Sequence, residues 1–321
     1  MSLKTKLTIT ALLLIAAVVL LAVASYLFGP PADRLRAGFT AEFLQRPDGY
    51  EGLTGAYDFE FASKPVQMDP GLMYKACADG AVDVICAFAT DGRIAAYDLL
   101  PLEDDKSYFP PYYAAPLVRG DTLAEYPQLR DILSRLGGRI DNATMRELNY
   151  QVDREDNPQK PDTVARQFLE SSGLLSADTE GGEDGAGTIQ VGGKDFTEQS
   201  ILAEMMAILI EATSNIRVER SLYLGGTMIC FNGLKSGDLD LYAEYTGTGL
   251  VNILDQSVVS EPNEAYAIVK REFEDRWDLV WLEPLGFNNT YTLTMRREHA
   301  EELGIRTISD LVNHIKSRND S

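Results

Sequence analysis

The sequence predicts an α/β fold made of two domains or one two-lobed unit, and three observations lead there. Beyond residue 188, short β-branched runs alternate with helical patterns, the order that builds largely parallel sheets covered by helices. At 321 residues the chain is long enough for more than one core. Hydrophobic residues make up 45% and charged residues 24%, a balance that buries faces rather than leaving the chain solvated.

The first 28 residues stand apart. Lys4 and Lys6 precede "LTITALLLIAAVVLLAVASYLF", an uncharged run of about 22 residues, enough to span a bilayer as a helix. The lysines favour a cytoplasmic N-terminus, which sends the rest of the chain outward. "AVAS" at Ala22 to Ser25 resembles a signal-peptidase site, so residues 1–32 are expected to be an uncleaved membrane anchor or a cleaved signal.

Next, "ADRLRAGFTAEFLQRPDGYEGL" predicts a helix that ends before Pro47 and Gly49. "PGLMYKACADG" predicts a short helix closed by Gly80, and "VDVICAFAT" a strand buried on both faces. "YDLLPLEDDKSYFPPYYAAPLV" offers strand segments broken by proline, with Pro110 and Pro111 excluding a central strand at that point. Three helical patterns follow, "TLAEYPQLRDILSRLGG", "NATMRELNYQVDRED" and "PDTVARQFLESSG". An acidic, Gly-rich tether occupies 176–187. Then come "TIQVGG" (strand), "DFTEQSILAEMMAILIEAT" (helix), "IRVERSLYL" (strand), "TMICFNGLKSG" (helix) and "DLDLYAEY" (strand). "NEAYAIVKREFEDRW" (helix), "LVWLEPL" and "YTLTMRRE" (strands) and "TISDLVNHIKS" (helix) complete the alternation. In the first helix after the tether, Ile201, Met205, Ile208 and Ala212 share a face, and Asp195 with Glu198 has capping-box spacing.

Charge excludes one class of partner. With 49 Asp+Glu against 29 Lys+Arg the net charge is −20, which repels phosphate backbones, so nucleic acid is not an expected partner. No Walker A, GxSxG, HExxH or GxGxxG motif is present, and no cofactor or metal is implied. His299 and His314 lie in charged helical segments and read as solvated. Cys77, Cys86 and Cys230 have apolar neighbours and read as buried thiols, with one disulfide left open.

Tyrosine stands out. Several of the 15 sit at predicted strand ends or in the loops beyond, in "YAEYTGTG", "FNNTYTL", "LMYKA", "AAYDLL" and "FPPYYAAP". Several aromatic faces around one point make a box for a cation that cannot be hydrogen-bonded, such as a quaternary ammonium. A single tyrosine packing with its hydroxyl satisfied is the competing explanation for each.

"VGGKDFTEQSILAEM", "LGGTM", "DLDLYAEYTGTGL", "VWLEPLGFNNTYTL" and "TISDL" resemble, in this order, the first half of the glycine betaine/choline-binding proteins of osmoprotectant ABC importers. "AEFLQRPDGYEGL", "MYKACADGAVDVICAFATDGRIAAYDLLPLEDDKSYFPPYYAAP" and "MRELNYQVD" resemble that family's second half, so the chain reads as circularly permuted. The tether would join the family's old C-terminus to its old N-terminus. Twelve flexible residues span on the order of 20 Å, enough for neighbouring surface ends.

The resemblance implies a type II periplasmic-binding-protein fold, two α/β lobes closing on a ligand by hinge motion. It puts 188–290 and 98–175 in the first lobe and 291–321 and 33–97 in the second. The implied aromatic box is Tyr245, Tyr291, Tyr74 and Tyr97, with Tyr112 or Tyr113 as alternatives to Tyr97. Lys194, Arg46 and Thr248 match positions that hold a ligand carboxylate, and the cation at Lys194 favours glycine betaine over choline. The implied role is a non-enzymatic, exported or membrane-tethered solute-binding protein serving an ABC permease and its ATPase. The alternative is a membrane-anchored sensor for quaternary amines, disfavoured because only six residues precede the apolar run.

Overall fold

The computed structural model describes residues 34–175 and 187–319. The expected leader at 1–32 and nearly all of the tether lie outside the described residues. Among the described residues, no helix is long and apolar enough to cross a membrane.

In chain order the strands are β1 (Ala37–Thr40), β2 (Val66–Met68), β3 (Val84–Phe88), β4 (Leu99–Pro101), β5 (Ala114–Arg119), β6 (Thr188–Gly192), β7 (Arg217–Ser221), β8 (Leu241–Tyr245), β9 (Leu279–Trp281) and β10 (Tyr291–Arg296). They form two five-stranded sheets, β2-β1-β3-β10-β4 and β7-β6-β8-β5-β9. In each sheet the fourth strand comes from a distant stretch of chain. β10 runs antiparallel to β3 and β4, and β5 runs antiparallel to β8 and β9. The chain therefore passes between sheets twice, over 102–113 and over 282–290. This is the two-lobed α/β class of type II periplasmic binding proteins. The lobe of β5–β9 is called the first lobe below, and that of β1–β4 with β10 the second.

Burial explains the strands. In β3, "VICAF", the first four residues are buried, as a strand with both faces covered requires. The helix Thr197–Thr213 has only its last three residues and Thr197 outside the buried class. It is buried nearly all round because it lies between the first-lobe sheet and the helix Pro161–Ser171. Its N-cap is Phe196, with no side-chain capping bond, so the expected capping box is not formed. Glu198 instead turns into the interior, as described below.

Three expectations need correction. Residues 37–40 were expected to be helical, but Ala37–Thr40 pairs in parallel with β2 and β3 and is buried throughout; sheet pairing outweighs the helical pattern. The helical pattern around Leu129 is two helices, Gly120–Glu125 and Leu129–Ser134, separated at Pro127. The division between lobes was expected at 97/98, but β4 pairs with β10, so Leu99–Pro101 belongs to the second-lobe sheet and the crossing follows it.

Cys77, Cys86 and Cys230 are buried and unlinked. Burial pushes the Cys77 and Cys230 thiols up to about 11 and the Cys86 thiol up to about 12.

Candidate functional site

A cavity of about 450 Å³ opens between the lobes. Its walls come from the carboxyl ends of the parallel strands and the loops beyond them, where open α/β sheets place ligands. Phe88 ends β3 and Tyr245 ends β8. The antiparallel insertions bring their first residues to the same edge: Tyr291 of β10 pairs with Phe88, and Ala114 of β5 with Tyr245. Tyr112 stands two residues before β5. Thr40 ends β1, Glu42 and Asp69 lie just beyond β1 and β2, and Lys194 to Phe196 follow β6.

Five rings line this space. Tyr245 and Phe196 have centroids 6.3 Å apart. Phe196 stacks on Phe88 across the lobe boundary at 5.7 Å with planes 6° apart. Phe88 and Tyr291 are 5.1 Å apart, and Tyr112 meets Tyr291 edge-on at 5.5 Å. The rings thus form a continuous arc drawn from both lobes. The turn after Tyr245 explains "YTGTG". A Cβ on Gly247 would lie 2.7 Å from the Tyr112 ring, and one on Gly249 2.8 Å from the Trp281 ring, so both need glycine.

Charge around the cavity is largely matched. Lys194 Nζ donates to Glu244 Oε1 at 2.7 Å and to Thr227 Oγ1 at 2.9 Å, and lies 5.3 Å from the Tyr245 ring centre. Arg46 makes a bidentate pair with Asp48, both bonds 2.8 Å. It also donates to Thr248 Oγ1 at 3.3 Å, Glu42 Oε1 at 3.2 Å and the Tyr112 hydroxyl at 3.2 Å. The Tyr112 hydroxyl in turn donates to Asp48. Glu42 Oε1 accepts from Thr227 Oγ1 of the other lobe at 2.9 Å. Burial works against the charge of Glu42, but Lys194 and Arg46 hold its carboxyl below the usual range. Two buried cations therefore face Glu244, Asp48 and Glu42, with Asp69 and Asp195 at the wall.

The structure brings Tyr245, Tyr291, Lys194 and Thr248 into the lining of one cavity, with Arg46 directly behind Thr248. Two expected cage residues are elsewhere. Tyr74 is fully buried, its ring covered by Arg93 at 4.4 Å and its hydroxyl accepting from the Phe88 N–H. Tyr97 donates to Glu155 on the outer surface, with Lys75 Nζ 6.0 Å from its ring. Each is near a cation of the chain itself. Tyr112, left open beside Tyr97, lines the cavity, and Tyr113 does not. Phe88 and Phe196 were not expected here, because phenylalanine in an apolar strand or loop reads as core, although a ring face needs no hydroxyl. Their positions, at the end of a buried strand and in a strand-to-helix loop, were the available signal. Glu42 and Asn289 also line the wall unanticipated.

The chain matches the family described as the substrate binding domain of ABC-type glycine betaine transport system over residues 26–171 and 187–320. It is 38% identical over 141 residues to the carnitine transport binding protein OpuCC of Listeria monocytogenes, covering 44% of this chain and 45% of that protein. It is 38% identical over 146 residues to a glycine-betaine-binding protein of Pseudomonas aeruginosa, covering 45% and 46%. The aligned stretch thus spans under half the length of either relative. A solved glycine betaine/carnitine/choline ABC transporter structure is 35% identical, covering 44% of this chain and 51% of that one, with a TM-score of 0.34. These relatives are transport binding proteins, not enzymes. With its family match falling on both sides of the tether and taking in most of both lobes, the chain belongs to the substrate-binding domains of ABC-type glycine betaine transport systems.

Proposed function

We infer that the protein is the extracytoplasmic solute-binding component of an ABC importer and captures a quaternary ammonium solute in the cavity between its lobes. The arc of five rings from both lobes is the observation that carries this reading. A trimethylammonium group offers no N–H, so it is held by ring faces and diffuse negative charge. The carboxylates of Glu42, Asp69 and Asp195 supply that charge.

A carboxylate on the same ligand is also accommodated. Lys194 has three N–H donors, of which two are used among the described residues. Thr248 Oγ1 accepts from Arg46, which leaves its own proton to donate. Zwitterions such as glycine betaine or carnitine fit this pairing of donors with an acidic, aromatic wall. Lys194 favours them less strongly than its charge alone suggests, because Glu244 already balances it.

A circularly permuted chain accounts for several observations together. The family match falls in two blocks on either side of residues 172–186, and alignments to relatives cover under half of each chain. Residues Arg34 and Leu35 wall a small cleft together with His314, Ile315 and Arg318, so the two stretches that the permutation would separate are neighbours. Residues 1–32 would act as export signal or membrane anchor, presenting the lobes to a permease driven by a cytoplasmic ATPase.

The test is a fluorescence titration with choline and with its neutral carbon isostere, 3,3-dimethylbutanol. The charged ligand is expected to bind at least tenfold more tightly, since each desolvated ring face contributes up to about 2 kcal/mol only to a cation. Equal affinities would remove the cation-based reading.

A further inference from the structure

One buried carboxyl group joins the cavity to the contact between lobes. Glu198, in the first turn of the helix Thr197–Thr213, is 2% exposed. Its Oε1 accepts from the Tyr245 hydroxyl at 2.7 Å and from Asn289 Nδ2 at 2.9 Å. Its Oε2 accepts from Asn149 Nδ2 at 3.0 Å and from Thr90 Oγ1 at 2.5 Å. Tyr245 and Asn149 belong to the first lobe and Asn289 to the crossing that leaves it. Thr90 belongs to the second lobe, in the turn after β3.

Thr90 commits every polar atom it has to that opposite side. Besides its hydroxyl, its N–H donates to Asn289 Oδ1 at 3.3 Å and its carbonyl accepts from Asn149 Nδ2 at 2.9 Å. Two residues on, Gly92 meets the helix Asn142–Asp153 so closely that a Cβ would lie 2.4 Å from Tyr150 N. On the cavity side stand the stacked rings of Phe88 and Phe196, each two residues before Thr90 and Glu198 respectively. The ring that lines the cavity and the threonine held from the other lobe thus share one carboxylate, each on its own oxygen.

We propose that Glu198 is a positioning residue that couples ligand seating to lobe closure, orienting Tyr245 with one oxygen and clasping Thr90 of the opposite lobe with the other. The coupling rests on the reading of the cavity as a quaternary ammonium site. A hydrogen bond to a buried charged group, converted to an equilibrium ratio, corresponds to roughly 10- to 100-fold. Removing the Thr90 hydroxyl is expected to shift the closed-to-open ratio by that factor, and the apparent affinity with it. Burial pushes the Glu198 carboxyl up, against the pull of its four donors.

The experiment uses the full chain with spin labels at Lys64→Cys and Arg166→Cys, exposed positions on opposite lobes. Inter-label distances are measured without ligand and with choline or glycine betaine, and affinities are measured by titration. Thr90→Val is expected to lengthen the ligand-free distances and to weaken binding roughly 10- to 100-fold. Thr90→Ser, which keeps the hydroxyl, is expected to restore both. Glu198→Gln should resemble Thr90→Val, because an amide cannot present acceptors to all four donors. Unchanged distances and affinity in Thr90→Val would overturn the proposal, even if its thermal midpoint fell. So would a Thr90→Ser variant as impaired as Thr90→Val. If the wild type bound neither ligand, the site reading would fail, while the ligand-free distances would still decide the clasp.

Discussion

Lys194 and Glu244 illustrate how a cavity can be lined by charge without carrying much of it. Their Nζ and Oε1 are 2.7 Å apart, and both side chains are almost wholly buried. Removing one partner of such a pair leaves the other charge uncompensated in a low dielectric. Lys194→Met is therefore expected to destabilise the protein by about 3 kcal/mol, with Lys194→Met/Glu244→Gln recovering most of the loss. Urea unfolding of the wild type and the two variants checks this; Lys194→Met as stable as wild type would show that the pair contributes nothing. In the sequence Lys194 was readable as a residue of the cavity it lines, but its partner, 50 residues away, was not. Tyr245, Tyr291 and Thr248 were readable from dense family motifs. Tyr74 and Tyr97 were misplaced because a tyrosine beside an apolar helix looks the same in sequence whether its ring faces a ligand or one of the chain's own arginines or lysines.

At the scale of elements, pairing partners decide what local pattern leaves open. The buried strand β3 and the largely apolar helix Thr197–Thr213 were readable from composition alone. β1 was not, since four residues inside a helical pattern become a strand only when β2 and β3 flank them. Asp83, just before β3, ties these elements together. It accepts from the Arg36 backbone and guanidinium at 2.9 Å, and from Arg296 at the end of β10 at 3.2 Å. Burial opposes its charge, but Arg36 and then Arg296 hold its carboxyl below the usual range. A carboxyl held low stabilises the fold above its ordinary value, and that contribution is lost as pH falls through the folded value. Asp83→Asn is expected to cost about 2 kcal/mol at neutral pH, after allowance for the partly exposed Arg36, and progressively less in acid. Unfolding curves at neutral pH and near pH 3 measure the difference; a gap that widens in acid would contradict the assignment.

For the whole molecule, the two crossings at 102–113 and 282–290 mean that neither lobe is a contiguous stretch of chain. Residues 34–175 supply four strands of one sheet and one of the other, and residues 187–319 supply the complement. The α/β class and the two-lobed plan were readable from the alternation and the resemblance. The exact crossing was not, because β4 is three residues long and defined only by its pairing with β10. If the permuted reading holds, a protease site placed within 176–186 can be cut without separating the pieces. The cut protein is expected to elute as one species and to unfold in one transition; clean dissociation into two folded parts would contradict a shared core.

The central claim is that rings from both lobes hold a quaternary ammonium solute. Calorimetric titration of the full chain with glycine betaine and choline, repeated on Tyr245→Ala and Tyr97→Ala, tests it most directly. Saturable binding in the wild type, weakened roughly 30-fold or more in Tyr245→Ala and unchanged in Tyr97→Ala, is the predicted result. Binding of neither ligand at any salt concentration, or equal binding by wild type and Tyr245→Ala, would contradict it.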